Sequence, residues 1–115
     1  MKYIALIYVA DNAPPAPTSA EFRPMMAAYK AATERFAADG VLVGGDALEN
    51  ASTATTVRVR GGRTETMDGP FAESKEQLVG FYLFECASLD DALKYAAMIP
   101  GAAHGAVEVR PIMPT

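Results

Sequence analysis

Apolar and polar positions change period several times along the chain, and each change marks an element. From Lys2 to Val9 both alternating sets are apolar: Ile4, Leu6 and Tyr8 face one way, Tyr3, Ala5, Ile7 and Val9 the other. A strand apolar on both faces is covered on both sides and belongs at the centre of a sheet. Asp11 to Pro17 holds three prolines and an asparagine and reads as a loop. Thr18-Ser19-Ala20-Glu21 resembles a capping box, and Pro24 places the main helix just after a short first turn. Phe22, Met26, Tyr29, Thr33 and Phe36 follow helical spacing and form its expected buried stripe, with Thr33 the weak member. Asp39-Gly40 ends that helix, Gly40 supplying a left-handed cap.

Val41-Leu42-Val43 begins a second strand, and Gly44-Gly45 within it predicts a bulge or a close approach by another group. Thr55 to Arg60 alternates, with Val57 and Val59 expected inward and Arg58 and Arg60 outward. Gly61-Gly62 is a two-residue hairpin signal with Arg63 to Met67 as the return arm. Asp68 to Gln77 is a polar loop around Gly69-Pro70, in which Phe71 is the one large apolar residue and is expected to anchor the loop by burial. Leu78 to Cys86 is again apolar on both faces. Ser88 caps a second helix, whose expected buried face is Leu89, Ala92, Leu93, Ala96 and Ala97 and which Pro100 stops. Ala106 to Met113 is a last strand, with Val107 and Val109 inward and Pro111 suited to a sheet edge.

The order is β-α-β, a hairpin, then β-α-β. That is an α+β chain of the ferredoxin-like, split-βαβ plan with an inserted β-hairpin, in one domain over residues 1–115. Helices cover one face of such a sheet, so the two doubly apolar strands need a second cover. A second copy of the sheet in a two-fold homodimer is the simplest, burying Tyr82 and Phe84 or their opposite-face neighbours. The alternative is an exposed face with a few aromatics.

Composition narrows the partners. With 50% hydrophobic and 21% charged residues the chain carries enough apolar material for a core. Its net charge of −4 and scattered basic residues lack the footprint of a nucleic-acid binder. The longest strongly apolar run, Tyr3 to Ala10, is far shorter than a membrane span. Lys2 and this run outline a signal peptide, but Asp11 closes the run early and a convincing cleavage site is lacking, so a cytoplasmic protein is expected. The single cysteine, Cys86, excludes an intrachain disulfide and a cysteine cage for zinc within one chain. With one histidine as well, neither a metal nor a cofactor is expected.

Strand directions gather the first loop, the Asp68–Gln77 loop and the segment before the last strand at one rim. This assembles Asp11, Asp68, Glu73, Lys75, Glu76 and His104 on loops, where sites tend to lie. His104 titrates near neutrality by default, and beside Asp68 or Glu73 it is the candidate acid or base. The plainer alternative is a surface histidine and a solvated turn in which Glu73, Lys75 and Glu76 pair. A small molecule binding at this rim would meet Asp11, Asp68, Gly69, Pro70, Phe71, Lys75, Glu76 and His104.

Asp68-Gly69-Pro70-Phe71, followed by Ala72-Glu73-Ser74-Lys75-Glu76-Gln77, resembles the motif of the DGPF proteins in the YCII-related family. Leu42-Val43-Gly44-Gly45, Val57-Arg58-Val59-Arg60 and Val107-Glu108-Val109-Arg110-Pro111 support the likeness, which covers nearly the whole chain. The resemblance implies a dimeric α/β-barrel. It implies either an enzyme with a His/Asp pair in a cleft or a regulatory module that partners an extracytoplasmic-function sigma factor. One position departs from the pattern. The YCII branch has Arg-Pro-x-His at the start of the first helix, where this chain has Arg23-Pro24-Met25-Met26. A thioether at Met26 cannot shuttle protons, so any acid–base role passes to His104 and the DGPF loop.

Overall fold

The structure is a computed structural model that describes residues 1–10, 18–72 and 74–115. Its elements are β1 (Lys2–Ala10), α1 (Phe22–Ala38), β2 (Leu42–Ala47), a 3₁₀ turn (Ala51–Thr53), β3 (Thr55–Arg60), β4 (Arg63–Asp68), β5 (Glu76–Glu85), α2 (Leu89–Ala96), α3 (Gly101–His104) and β6 (Ala106–Pro111). Four strands form an antiparallel sheet in the order β2-β5-β1-β6, and β3 and β4 form a separate two-stranded sheet. This is the α+β, ferredoxin-like arrangement with an inserted hairpin. The doubly apolar strands β1 and β5 are its centre, and β6, with Pro111, is an edge.

The helix-side face is the core. Tyr3, Ala5 and Ile7 of β1 and Tyr82 and Phe84 of β5 pack with Ala32 and Phe36 of α1, Ala92 and Ala96 of α2, and Ile99. Phe36 is fully buried, and the rings of Tyr82, Phe84 and Tyr95 meet it edge-on at centroid distances of 5.2, 4.9 and 5.8 Å. Such edge-to-face pairs add to the burial of each ring. Thr33 completes a polar link inside this face. Its hydroxyl lies 2.8 Å from the Tyr82 hydroxyl and 2.8 Å from the Tyr29 carbonyl, giving the buried phenol its partner.

Local signals mostly act as expected. Pro24 stands in the first turn of α1, after a turn closed from Phe22 N–H to Ser19 O. At the other end Gly40, at φ 72°, donates to Ala37 O while Val41 N–H reaches Phe36 O, which together make a Schellman cap. Gly44-Gly45 coincides with a register shift between β2 and β5 and with a close approach: a Cβ at Gly45 would lie 2.5 Å from Phe81 O.

Several faces differ from expectation. Met26 is exposed and Met25 is half-buried, so the inward line runs through Phe22, Met25, Tyr29, Ala32 and Phe36. Leu89 and Leu93 are exposed, and α2 packs through its alanines, which let it approach the sheet closely. Pro100 stops α2 indirectly: the helix ends at Ala96, and Pro100 becomes the N-cap of α3 within the expected loop. Val57 and Val59 are not inward. They are 60% and 59% exposed, because the hairpin stands away from the main sheet.

The open face of the sheet carries Ile4, Leu6 and Tyr8 of β1 with Phe81 and Leu83 of β5, paired Leu6↔Phe81 and Ile4↔Leu83. Exposed Asp46 of β2 and the Glu108–Arg110 pair of β6 flank this stripe. Tyr82 and Phe84 lie under the helices, so Phe81 and Leu83 are the aromatic and aliphatic residues left on the open side.

Candidate functional site

The chain folds one concave surface around the DGPF turn. After β2, Leu48 N–H donates to Val79 O at 2.9 Å and prolongs the pairing with β5. Asn50 then starts the 3₁₀ turn, its side-chain oxygen accepting from Ser52 N–H at 2.9 Å and its carbonyl from the Thr53 hydroxyl at 2.7 Å. The DGPF turn is fastened to the foot of the hairpin beside it: Gly69 N–H donates to Ala54 O at 2.7 Å, and the Thr56 hydroxyl donates to Gly69 O at 2.8 Å. Gly69 sits at φ 101°, a conformation that side-chain-bearing residues rarely adopt. Pro70 follows as a rigid wall.

The space between these segments is an open groove of about 330 Å³, lined mainly by apolar atoms of Leu48, Ala51, Ala54, Pro70 and Leu78, with Glu49, Asn50, Thr53 and Gln77 adding polar ones. Its floor holds the buried polar residue Gln77, which is 7% exposed. The Gln77 side-chain nitrogen donates to Ser74 O at 2.6 Å, while its side-chain oxygen accepts nothing among the described residues. A buried amide oxygen without a donor is costly, and a bound molecule or a water with an N–H or O–H to offer would satisfy it.

Of the residues expected at the rim, Pro70 lines this groove and Gly69 anchors the turn behind it. Asp68 ends β4, pairing with Thr55 on the exposed hairpin. Phe71 corrects an expectation: it is 72% exposed, not buried, and its ring carries the Arg58 guanidinium 4.9 Å from the centroid. Pro70 turns the chain outward at the hairpin's foot, so the ring finds a cation rather than a core. Lys75 and Glu76 are exposed and form no ion pair among the described residues, and the Ser74 hydroxyl bonds the Glu76 carbonyl. Asp11 and Glu73 lie outside the described residues.

His104 is exposed at the end of α3, immediately before β6, and makes no side-chain hydrogen bond or ion pair among the described residues. His104 precedes β6, the edge of the sheet opposite β2 and three strand spacings or about 14 Å from that strand. Register does bring the ends of β1, β5 and β6 together, Ala10 facing Glu76 and Tyr8 facing Ala106. No group of three or more His, Cys, Asp or Glu among the described residues could hold a metal ion. Among the described residues, no helix is long and apolar enough to cross a membrane.

Sequence reasoning found the turn but missed the opposite wall, Leu48 to Ala54. Two signals were present: Asn50 followed by Ser52-Thr53, a capping pattern, and Gln77, the polar position at the head of an otherwise apolar strand. Elsewhere the clearest electrostatic cluster is Asp39, whose carboxyl accepts from Arg35 Nε and from the Tyr95 hydroxyl, each at 2.9 Å. Those two hydrogen bonds hold it below the usual carboxylate range, and the bond to Asp39 in turn raises the Tyr95 phenol. It ties α1 to α2 and lies at neither end of the groove. Burial pushes the Cys86 thiol up.

An α+β, ferredoxin-like sheet with an inserted hairpin and a DGPF turn fastened to it defines a class of small domain. The family model for the YCII-related domain matches residues 1–115, and the chain belongs to that family. An uncharacterized protein of Rhizobium meliloti (strain 1021) is 40% identical over 114 residues, 97% of this chain and 92% of that protein.

Proposed function

We propose that this YCII-related protein works as a homodimer, its open sheet faces meeting, and that the groove beside the DGPF turn binds a small molecule with an apolar body and a hydrogen-bond donor. The observation that carries the binding reading is Gln77: a nearly buried amide whose carbonyl oxygen has no donor among the described residues, set among apolar walls. Pockets of this kind combine apolar surface with a few fixed polar groups. The dimer reading rests on Ile4, Leu6, Phe81 and Leu83, an apolar stripe on the face of the sheet opposite the helices among the described residues. The reading is of binding rather than acid–base catalysis, because neither Asp68, at the end of β4, nor His104, just before β6, makes a side-chain hydrogen bond or ion pair among the described residues.

Amide NMR spectra recorded during a screen of small fragments test the binding reading. Fragments that pair an aliphatic or aromatic body with a donor should shift the amides of Leu48, Ala51, Gln77 and Leu78 together. Shifts that instead cluster on His104 and Gly105, or no saturable shift at millimolar fragment, would overturn it.

A further inference from the structure

The β3–β4 hairpin is the least explained part of the molecule. It is a two-stranded sheet joined to the rest at its foot, and an isolated pair of strands is marginal in water. The Cα radius of gyration, 15.9 Å, exceeds the roughly 13 Å of a compact chain of this length, as a projecting arm requires. Register separates its two faces. One carries Val57 and Val59, each more than half exposed, opposite the exposed Thr66 and Thr64, a β-branched surface. The other carries Arg58 opposite Glu65 and, at the tip, Arg60 directly opposite Arg63. Like charges in opposed positions destabilise a pair of strands. Among the described residues no ion pair relieves Arg60 or Arg63, and the Arg60 guanidinium donates to the neighbouring Val59 carbonyl. The hairpin is net +1 in a chain of net −4, which leaves −5 on the remainder. A basic arm with an unpaired apolar face therefore projects from an acidic body, and the acidic body that fits it is another copy of the same chain.

We propose that the hairpin is a dimerisation arm: its Val57–Val59 face lies on the body of the second copy, and Arg60 and Arg63 at its tip meet that copy's acidic surface. The proposal rests on the homodimer proposed above and extends it, since each subunit would carry the partner's arm as well as its sheet. Two-fold symmetry counts each contact twice, so one arm substitution alters two sites in the dimer.

Sedimentation velocity over a dilution series tests this, with circular dichroism to verify folding. The parent should sediment as twice the 12.2 kDa chain. The double variant Val57→Lys/Val59→Lys should keep its helix and strand signal, its side chains being solvent-exposed in the single chain, and dissociate at a concentration about a hundredfold higher or more, one decade for each symmetric pair of altered sites. Val57→Thr/Val59→Thr preserves β-branching and should give about tenfold, which decides the matter should the lysine variant misfold. Raising the salt from 0.05 to 0.5 M should weaken the parent dimer, since the tip contacts are charge pairs. A parent dimer whose dissociation neither valine variant changes overturns the arm and leaves the sheet-face dimer standing. A monomeric parent overturns both.

Discussion

Phe36 and Phe71 should respond oppositely to truncation. Phe36 has no exposed surface and three aromatic neighbours within 5.8 Å. Phe36→Ala removes the transfer energy of a whole ring and leaves a cavity that the sheet cannot close, a loss of about 4 kcal/mol. In a domain of this size, about 0.24 kcal/mol lowers the melting temperature by 1 °C, so the expected drop is about 17 °C. Against a total stability of roughly 5–15 kcal/mol, that brings the fold near its limit. Phe71 is 72% exposed and contributes chiefly its contact with Arg58. An exposed cation–π contact is worth less than about 1 kcal/mol, so Phe71→Ala should shift the melt by at most about 4 °C. Urea unfolding followed by circular dichroism, at one fixed protein concentration because association shifts apparent stability, measures both. Equal losses, or a Phe71 loss of about 3 kcal/mol, the size expected of a buried ring, would refute the placement of these rings. A Phe36 loss below about 1.5 kcal/mol would refute the aromatic core.

Three further outcomes follow from the geometry. Gly45→Ala sets a Cβ against Phe81 O in a backbone conformation that resists side chains, and should destabilise by about 1–3 kcal/mol in the same urea assay. The Asp39 carboxyl is depressed by its hydrogen bonds with Arg35 and Tyr95, so its contribution is present above the unfolded carboxylate value of about 3.9 and is lost as pH falls through the lower folded value. Asp39→Asn should therefore lower stability at neutral pH and flatten the acid limb of the profile below about pH 4, read as melting temperature against pH. The Cys86 thiol, buried and raised, should resist iodoacetamide at about pH 8 in the native protein and react freely in urea, as mass spectrometry would record.

Patterns in the sequence told which residues share a face, and where the face was covered by the chain itself they also told burial. The alternation of Tyr3, Ala5 and Ile7 against Ile4, Leu6 and Tyr8 is the observed split of β1, and the signals at Gly40 and Gly44-Gly45 are the observed cap and bulge. Alternation is silent on what covers a face. Val57 and Val59 do share one side of β3, yet both are more than half exposed, with no element among the described residues lying against them. Met25 and Met26 are neighbours at spacings of three and four from Phe22, both helical, so spacing alone does not choose between them, and Met25 is the half-buried one. Phe71 looked like an anchor because it is apolar in a polar loop, but burial depends on a surface to bury against, and the hairpin foot offers Arg58. The DGPF turn was legible because its residues are local. The groove was not, because Leu48–Ala54 and Gln77 meet only once β2 and β5 have paired.

The binding isotherm of the tightest donor-bearing fragment, on the parent and on Ala51→Phe, tests the account most directly. Ala51 lines the groove from the 3₁₀ turn, half-buried, and a phenyl ring there fills space the fragment needs. The account predicts saturable binding to the parent and at least about tenfold weaker binding to the variant, a difference of about 1.4 kcal/mol, with the fold unchanged. Equal affinity for both proteins would place the ligand elsewhere and contradict the groove as the site.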